Sequence, residues 1–161
     1  MPLDLAILTP VNKGQLGPAL TKATGNTNFT WEAYNGDIQL DSFSALVTLT
    51  GVQKLAQGVF KIVLTPQGSN PVDPNYGTTL STLIGQEVDA DKFATITSSI
   101  VDALTYYNLI NQDNPNSDEV IQMINSVRVV SALNDPRQIN VQISFTTESG
   151  IPVSLQVPQI L

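Results

Sequence analysis

"INVQISFTTESGIPVSLQV", residues 139 to 157, alternates apolar and polar side chains on either side of Glu148-Ser149-Gly150. Successive side chains of an extended chain point to opposite faces, so Ile139, Val141, Ile143 and Phe145 share one face of a first strand. Ile151, Val153, Leu155 and Val157 do the same in a second. The short turn between them predicts a hairpin. Immediately upstream, "VRVVSAL" (127–133) reads as another strand and "NDPRQ" (134–138) as the turn that follows it. Connections this short join antiparallel neighbours, and the C-terminal third is therefore expected to be a three-stranded antiparallel meander.

The last of these strands carries two prolines. Pro152 and Pro158 face outward with Ser154 and Gln156. Proline has no amide hydrogen to give to a ladder, so the strand is expected at a sheet edge. The window Val153, Ser154, Leu155, Gln156 and Val157 keeps a backbone that can still pair with an incoming strand.

Ahead of the sheet the apolar spacing becomes helical. Val52, Leu55, Ala56, Val59, Phe60 and Val63 form the stripe of a helix that ends before Pro66. A longer helix, with Asp89 or Asp91 available as its cap, carries Phe93, Ile96, Ile100, Leu104 and Tyr107 on one face. "SDEVIQMINS" (117–126) is expected to be another short helix, with Ser117 as N-cap and acids in its first turn. Between the two main helices lies "LTPQGSNPVDPNYGTTL" (64–80), with three prolines and two glycines, which shapes backbone and holds no catalytic set. Toward the N-terminus, "FTWEAYNGDIQLD" (29–41) alternates around Asn35-Gly36 and predicts a hairpin. Residues 3–8 could form a short strand, and residues 9–28 read as irregular chain ordered by contact with a partner. The organisation expected is an extended arm over 1–28 and a single α+β domain over 29–161, its meander backed by two main helices.

Composition excludes much chemistry. The chain has 161 residues, no cysteine and no histidine. Disulfides, thiolate metal sites and the commonest general base are thereby absent, and no cofactor is expected. Seven basic against fourteen acidic residues give a net charge of -7, which disfavours nucleic acid and anionic membranes. The start "MPLDLAILTP" does not read as a signal peptide, and use within a cytoplasm is expected. Charged residues make up only 13%, against about 25% in an average protein. A largely neutral polar surface suits lasting contact with other proteins.

Glycoside hydrolysis needs only two carboxylates, for which the candidates are Glu32, Asp37, Asp41, Glu87, Asp89 and Asp91. Turns, strand ends and helix starts account for their places, so no enzymatic activity is expected. Trp31, Tyr106 and Tyr107 could stack on a sugar or base, but core and interface packing explain them better. Asp135-Pro136-Arg137 admits two readings: an ordinary turn, or a corner that fixes a guanidinium for docking a partner's carboxylate.

The order hairpin, helix, proline-rich loop, helix and β meander resembles the baseplate wedge and sheath-initiator family of contractile-tailed bacteriophages, also called baseplate assembly protein W. Leu64-Thr65, Gly68, Asp73-Pro74 and Tyr76-Gly77 match the loop pattern of that family in order and spacing, within a resemblance covering about residues 29–157. Ser69-Asn70 stand where members often carry Arg, and Asp135-Pro136-Arg137 follows a strand where many members end the second helix in Glu-Pro-Arg. The resemblance implies a non-catalytic virion protein of the tail baseplate, assembled in the host cytoplasm. It implies a ring of about six copies around the tail tube, with wedge proteins and the tail sheath protein as partners. It further implies that the C-terminal sheet accepts extended arms of the first sheath subunits by strand addition.

Overall fold

Alternation in the C-terminal third produces the sheet that organises the molecule. The computed structural model describes residues 4–5, 8–10, 29–33, 48–83, 90–131 and 138–160, with side chains described within 49–82, 91–130 and 139–157. Strands β1 (Asp4–Leu5), β2 (Leu8–Pro10), β3 (Phe29–Ala33) and β4 (Thr48–Leu49) precede helix α1 (Val52–Leu64) and helix α2 (Ala90–Ile110). Strands β5 (Ile121–Ser131), β6 (Gln138–Thr147) and β7 (Pro152–Ile160) complete the chain. β5, β6 and β7 form the expected antiparallel meander. The fold is α+β, with both helices packed on the sheet.

Ile139, Val141, Ile143, Phe145, Val153, Leu155 and Val157 are all buried, as the period of two requires. Opposite them α1 supplies Leu55, Ala56, Val59, Phe60, Ile62 and Val63, and α2 supplies Ile96, Ile100, Ala103 and Leu104. Together these form one hydrophobic core, with Phe93, Tyr106 and Tyr107 packed at its margin. Burying an aliphatic or aromatic side chain is worth about 1.5–3 kcal/mol, so this layer is the main source of stability. α1 is more deeply enclosed than an amphipathic stripe predicts. Only Lys54, Lys61 and Leu64 among its residues escape burial, and Gln57 lies fully inside.

Three expectations are corrected. Residues 117–126 are not a short helix: a single 3₁₀ turn at Ser117–Glu119 leads directly into β5 at Ile121. Asn116, rather than Ser117, caps that turn by accepting the Asp118 amide hydrogen on its side chain. The apolar spacing looked helical because β5 is irregular at Ile121/Met123 and again at Ile124/Ser126. Each extra residue of a bulge shifts the phase of a strand, and the inward residues become Ile121, Ile124, Val127 and Val129.

The second correction concerns β3. The return strand of the hairpin expected over 29–41 lies outside the described residues; what changes is that β3 takes a segment of the expected arm into the sheet. Its partners are β2, antiparallel, and β7, parallel, in the sheet order β2-β3-β7-β6-β5. Leu8–Pro10, part of the expected arm, thus joins the sheet, and Asp4–Leu5 pairs with Thr48–Leu49.

The third follows from the second. Val153, Ser154, Leu155 and Gln156 are paired with Phe29, Thr30, Trp31 and Glu32, so the window at Val153–Val157 is not a free edge. Pro152 was compatible with an edge, but the chain closes that side with its own strand. Among the described strands, the open edge of the C-terminal meander is β5.

Candidate functional site: the interhelical loop and the edge strand

α1 ends because Pro66 cannot continue it, and its last carbonyls must find donors elsewhere. Thr65 donates its amide and its hydroxyl to the Lys61 carbonyl, at 3.0 and 2.6 Å. The buried Thr78 hydroxyl donates to the Val63 carbonyl at 2.8 Å. These bonds draw the far end of the loop back onto the helix terminus. Thr78 N–H donates to Thr65 O and Gln67 N–H to Thr78 O, both at 2.8 Å, forming a small parallel bridge at Pro66 and Thr78.

Gly77 makes the bridge possible. Its φ of 119° lies where L side chains rarely go. An added Cβ would collide with the Thr65 carbonyl oxygen and come within 3.0 Å of the Gln67 nitrogen. The tip is ordered by Gly68 N–H donating to Pro74 O, and by Val72 N–H donating to the Asn70 side chain, each at 3.0 Å. Asp73 accepts a 2.8 Å hydrogen bond from the Tyr106 hydroxyl and so ties the tip to α2. That bond, with burial and the Asp73 charge, raises the tyrosine above its usual range. Farther along, the Ser99 hydroxyl on α2 receives the Thr79 amide and hydroxyl.

The loop residues singled out from sequence thus come together, each in an identifiable place. Leu64 closes α1 and is exposed, Thr65 caps it, and Gly68 and Pro74 pair across the tip. Tyr76 packs against the core, Asp73 holds Tyr106, and Gly77 is buried beneath the bridge. Between this loop and α2 runs an open groove of about 720 Å³, bordered by Gln67, Asn75, Ser98, Asp102 and Tyr106.

β5 is the other feature that faces outward. It is eleven residues long, with no proline and a single charged residue, Arg128. Met123 is 59% and Val130 47% exposed. Natural edge strands are usually blunted by charge, proline or brevity, and a long neutral edge is a template for pairing. Its bulges are the protection it has.

Sequence reasoning missed a third constellation. Glu119 is 4% exposed and accepts from Lys54 Nζ at 2.6 Å, Asn114 Nδ2 at 3.0 Å, Asn116 Nδ2 at 2.9 Å and Gly51 N–H at 2.9 Å. Burial pushes its carboxyl upward, but the bonds from Lys54, Asn114 and Gly51, with the Lys54 charge, outweigh that and hold it below the usual value. Glu119 was expected to serve its own short helix. It instead brings negative charge to the N-terminus of α1, which has no acid in its first turn. The group is a structural clasp between the start of α1 and the 111–119 turn.

Asp135, Pro136 and Arg137 lie outside the described residues, as do the side chains of Trp31, Glu32, Asp37, Asp41, Glu87 and Asp89. Asp91 is exposed in the first turn of α2. Among the described residues no cluster of carboxylates could hold a metal ion, and no helix is long and apolar enough to cross a membrane.

No protein-family model matches the sequence, and no curated protein matches it. The fold is similar to that of a protein from Geobacter sulfurreducens provisionally described as a tail lysozyme. That likeness has a TM-score of 0.58 at 17% sequence identity and covers 73% of this chain and 96% of the other. The α+β architecture is therefore one that a second, sequence-distant protein also adopts over nearly its whole length.

Proposed function

We propose that the chain is a non-catalytic structural protein of a contractile phage tail, held in the baseplate by wedge proteins, that starts sheath assembly by accepting sheath strands on its C-terminal sheet. The observation that carries the reading is the fold likeness to a protein provisionally described as a tail lysozyme, over 96% of that protein. The loop pattern Leu64-Thr65, Gly68, Asp73-Pro74 and Tyr76-Gly77 supports it independently.

Strand addition requires an exposed ladder edge, and β5 supplies one. Among the described strands it is open where β7 is occupied, and it is long enough for a sheath arm to add a full strand. Repetition of the unit about a tail axis would then present several such edges as a ring.

Lysine at an edge is the means by which natural sheets refuse a further strand. Met123→Lys combined with Val130→Lys places two charges on exposed positions of β5 and leaves its inward face intact. Baseplates carrying this double variant are expected to assemble, retain the protein and fail to nucleate sheath. Normal sheath growth on them would refute strand addition at β5. Binding of the isolated chain to tube subunits and not to sheath subunits would instead favour a small connector or tail-completion protein.

A further inference from the structure

The groove between the interhelical loop and α2 has no part in the edge-strand mechanism, and its lining is chemically distinctive. Gln67 and Asn75 project from the loop, and Ser98 and Asp102 from α2. All four are exposed, and their side chains make no hydrogen bond or ion pair with another described residue. The neighbouring polar groups are already committed. Thr79 and Ser99 bond each other, Thr95 bonds the Asp91 carbonyl, and Tyr106 bonds Asp73. Two amides, a hydroxyl and a carboxylate are therefore left facing one space of about 720 Å³, within the roughly 300–1,000 Å³ of small-molecule sites.

Several ligand classes fail on this lining. Its described residues include no lysine or arginine, so among them phosphates and other anions meet the one charged group Asp102. An extended peptide would need a run of unpaired backbone along one wall, but the amides of Gln67, Gly68 and Thr78 are already bonded within the loop. An apolar anchor would need a deep greasy pocket, and the apolar contributors are the small residues Ala94 and Ala103. What fits is a neutral molecule with many hydroxyls. Each amide both donates and accepts, the carboxylate can accept from two hydroxyls at once, and Tyr106 adds an aromatic ring to the wall.

We infer that this groove binds a neutral oligosaccharide. It binds without cleaving, because the nearby Asp73 is held by Tyr106 and only Asp102 among the described lining residues is a carboxylate, whereas glycosidic hydrolysis uses a pair. The inference stands on the groove alone and does not depend on the role proposed for β5.

The test is saturation-transfer NMR on the full chain with chitotetraose and maltotetraose as neutral probes and a heparin tetrasaccharide as the anionic control. Transfer to at least one neutral sugar and none to heparin is expected. Asn75→Ala and Asp102→Ala, both at exposed positions, should each weaken that binding about tenfold. Absence of transfer to both neutral sugars, or transfer that survives both substitutions unchanged, overturns the inference. Absence of transfer together with loss of the double variant from assembled baseplates would overturn it in favour of a protein partner in the groove.

Discussion

Gly77 and Glu119 are the residues on which the local geometry turns. At Gly77 the positive φ and the approach of the Thr65 carbonyl act together, so any side chain is strained twice. Gly77→Val is expected to destabilise the fold by about 1–3 kcal/mol, read as a lowered Tm. Gly68→Ala, also at positive φ but with open space around the added Cβ, should cost less. An equal cost at the two positions would show that contact with Thr65 is unimportant. The folded carboxyl of Glu119 is depressed, so its contribution is complete above the ordinary value of 4.5 and is lost as pH falls through the folded value. Glu119→Gln should therefore cost about 1–3 kcal/mol at neutral pH. The gap between wild type and variant should narrow below about pH 4.5 in denaturant titrations. A gap independent of pH would mean that the charge is not what matters there. The glycine was legible in the sequence, since an aromatic-glycine pair before a helical turn needs unusual backbone. The Glu119 clasp was not, because its donors come from residues 51, 54, 114 and 116 and meet only in the folded chain.

Among elements, the two later strands were readable because a hairpin is local: alternation and a short turn specify both strands and their pairing. β5 was half readable. Its regular part beyond Val127 was recognised, but the irregular part places apolar residues three apart, a spacing shared with helices. The pairing of β3 with β7 leaves no local trace, since a parallel pair joins residues more than a hundred positions apart. The interhelical loop is expected to behave as one element pinned by Tyr106. Tyr106→Phe removes the bond to Asp73 and should speed amide exchange at Gly68 and Tyr76 while leaving α1 protected. Unchanged exchange in the loop would show that the bridge at Pro66 and Thr78 holds it alone.

The whole molecule is a core built between α1, α2 and the meander, with its outward features on two separate surfaces, the groove and the β5 edge. The α+β class and the helical backing were legible because composition and periodicity agree along long segments. The placement of the open edge was not, since it depends on which distant strand closes the sheet. Purified protein is expected to release no fragments from peptidoglycan, since the described residues arrange no pair of carboxylates as acid and nucleophile. Cleavage abolished by Asp102→Asn would contradict that. The proposal that sheath strands add to this sheet is tested most directly by amide hydrogen exchange across Ile121–Ser131, measured with and without the sheath protein. Outward amides of β5 are expected to exchange quickly in the free protein and to become protected when sheath subunits bind. Binding that leaves β5 unchanged, or that protects another surface instead, would contradict it.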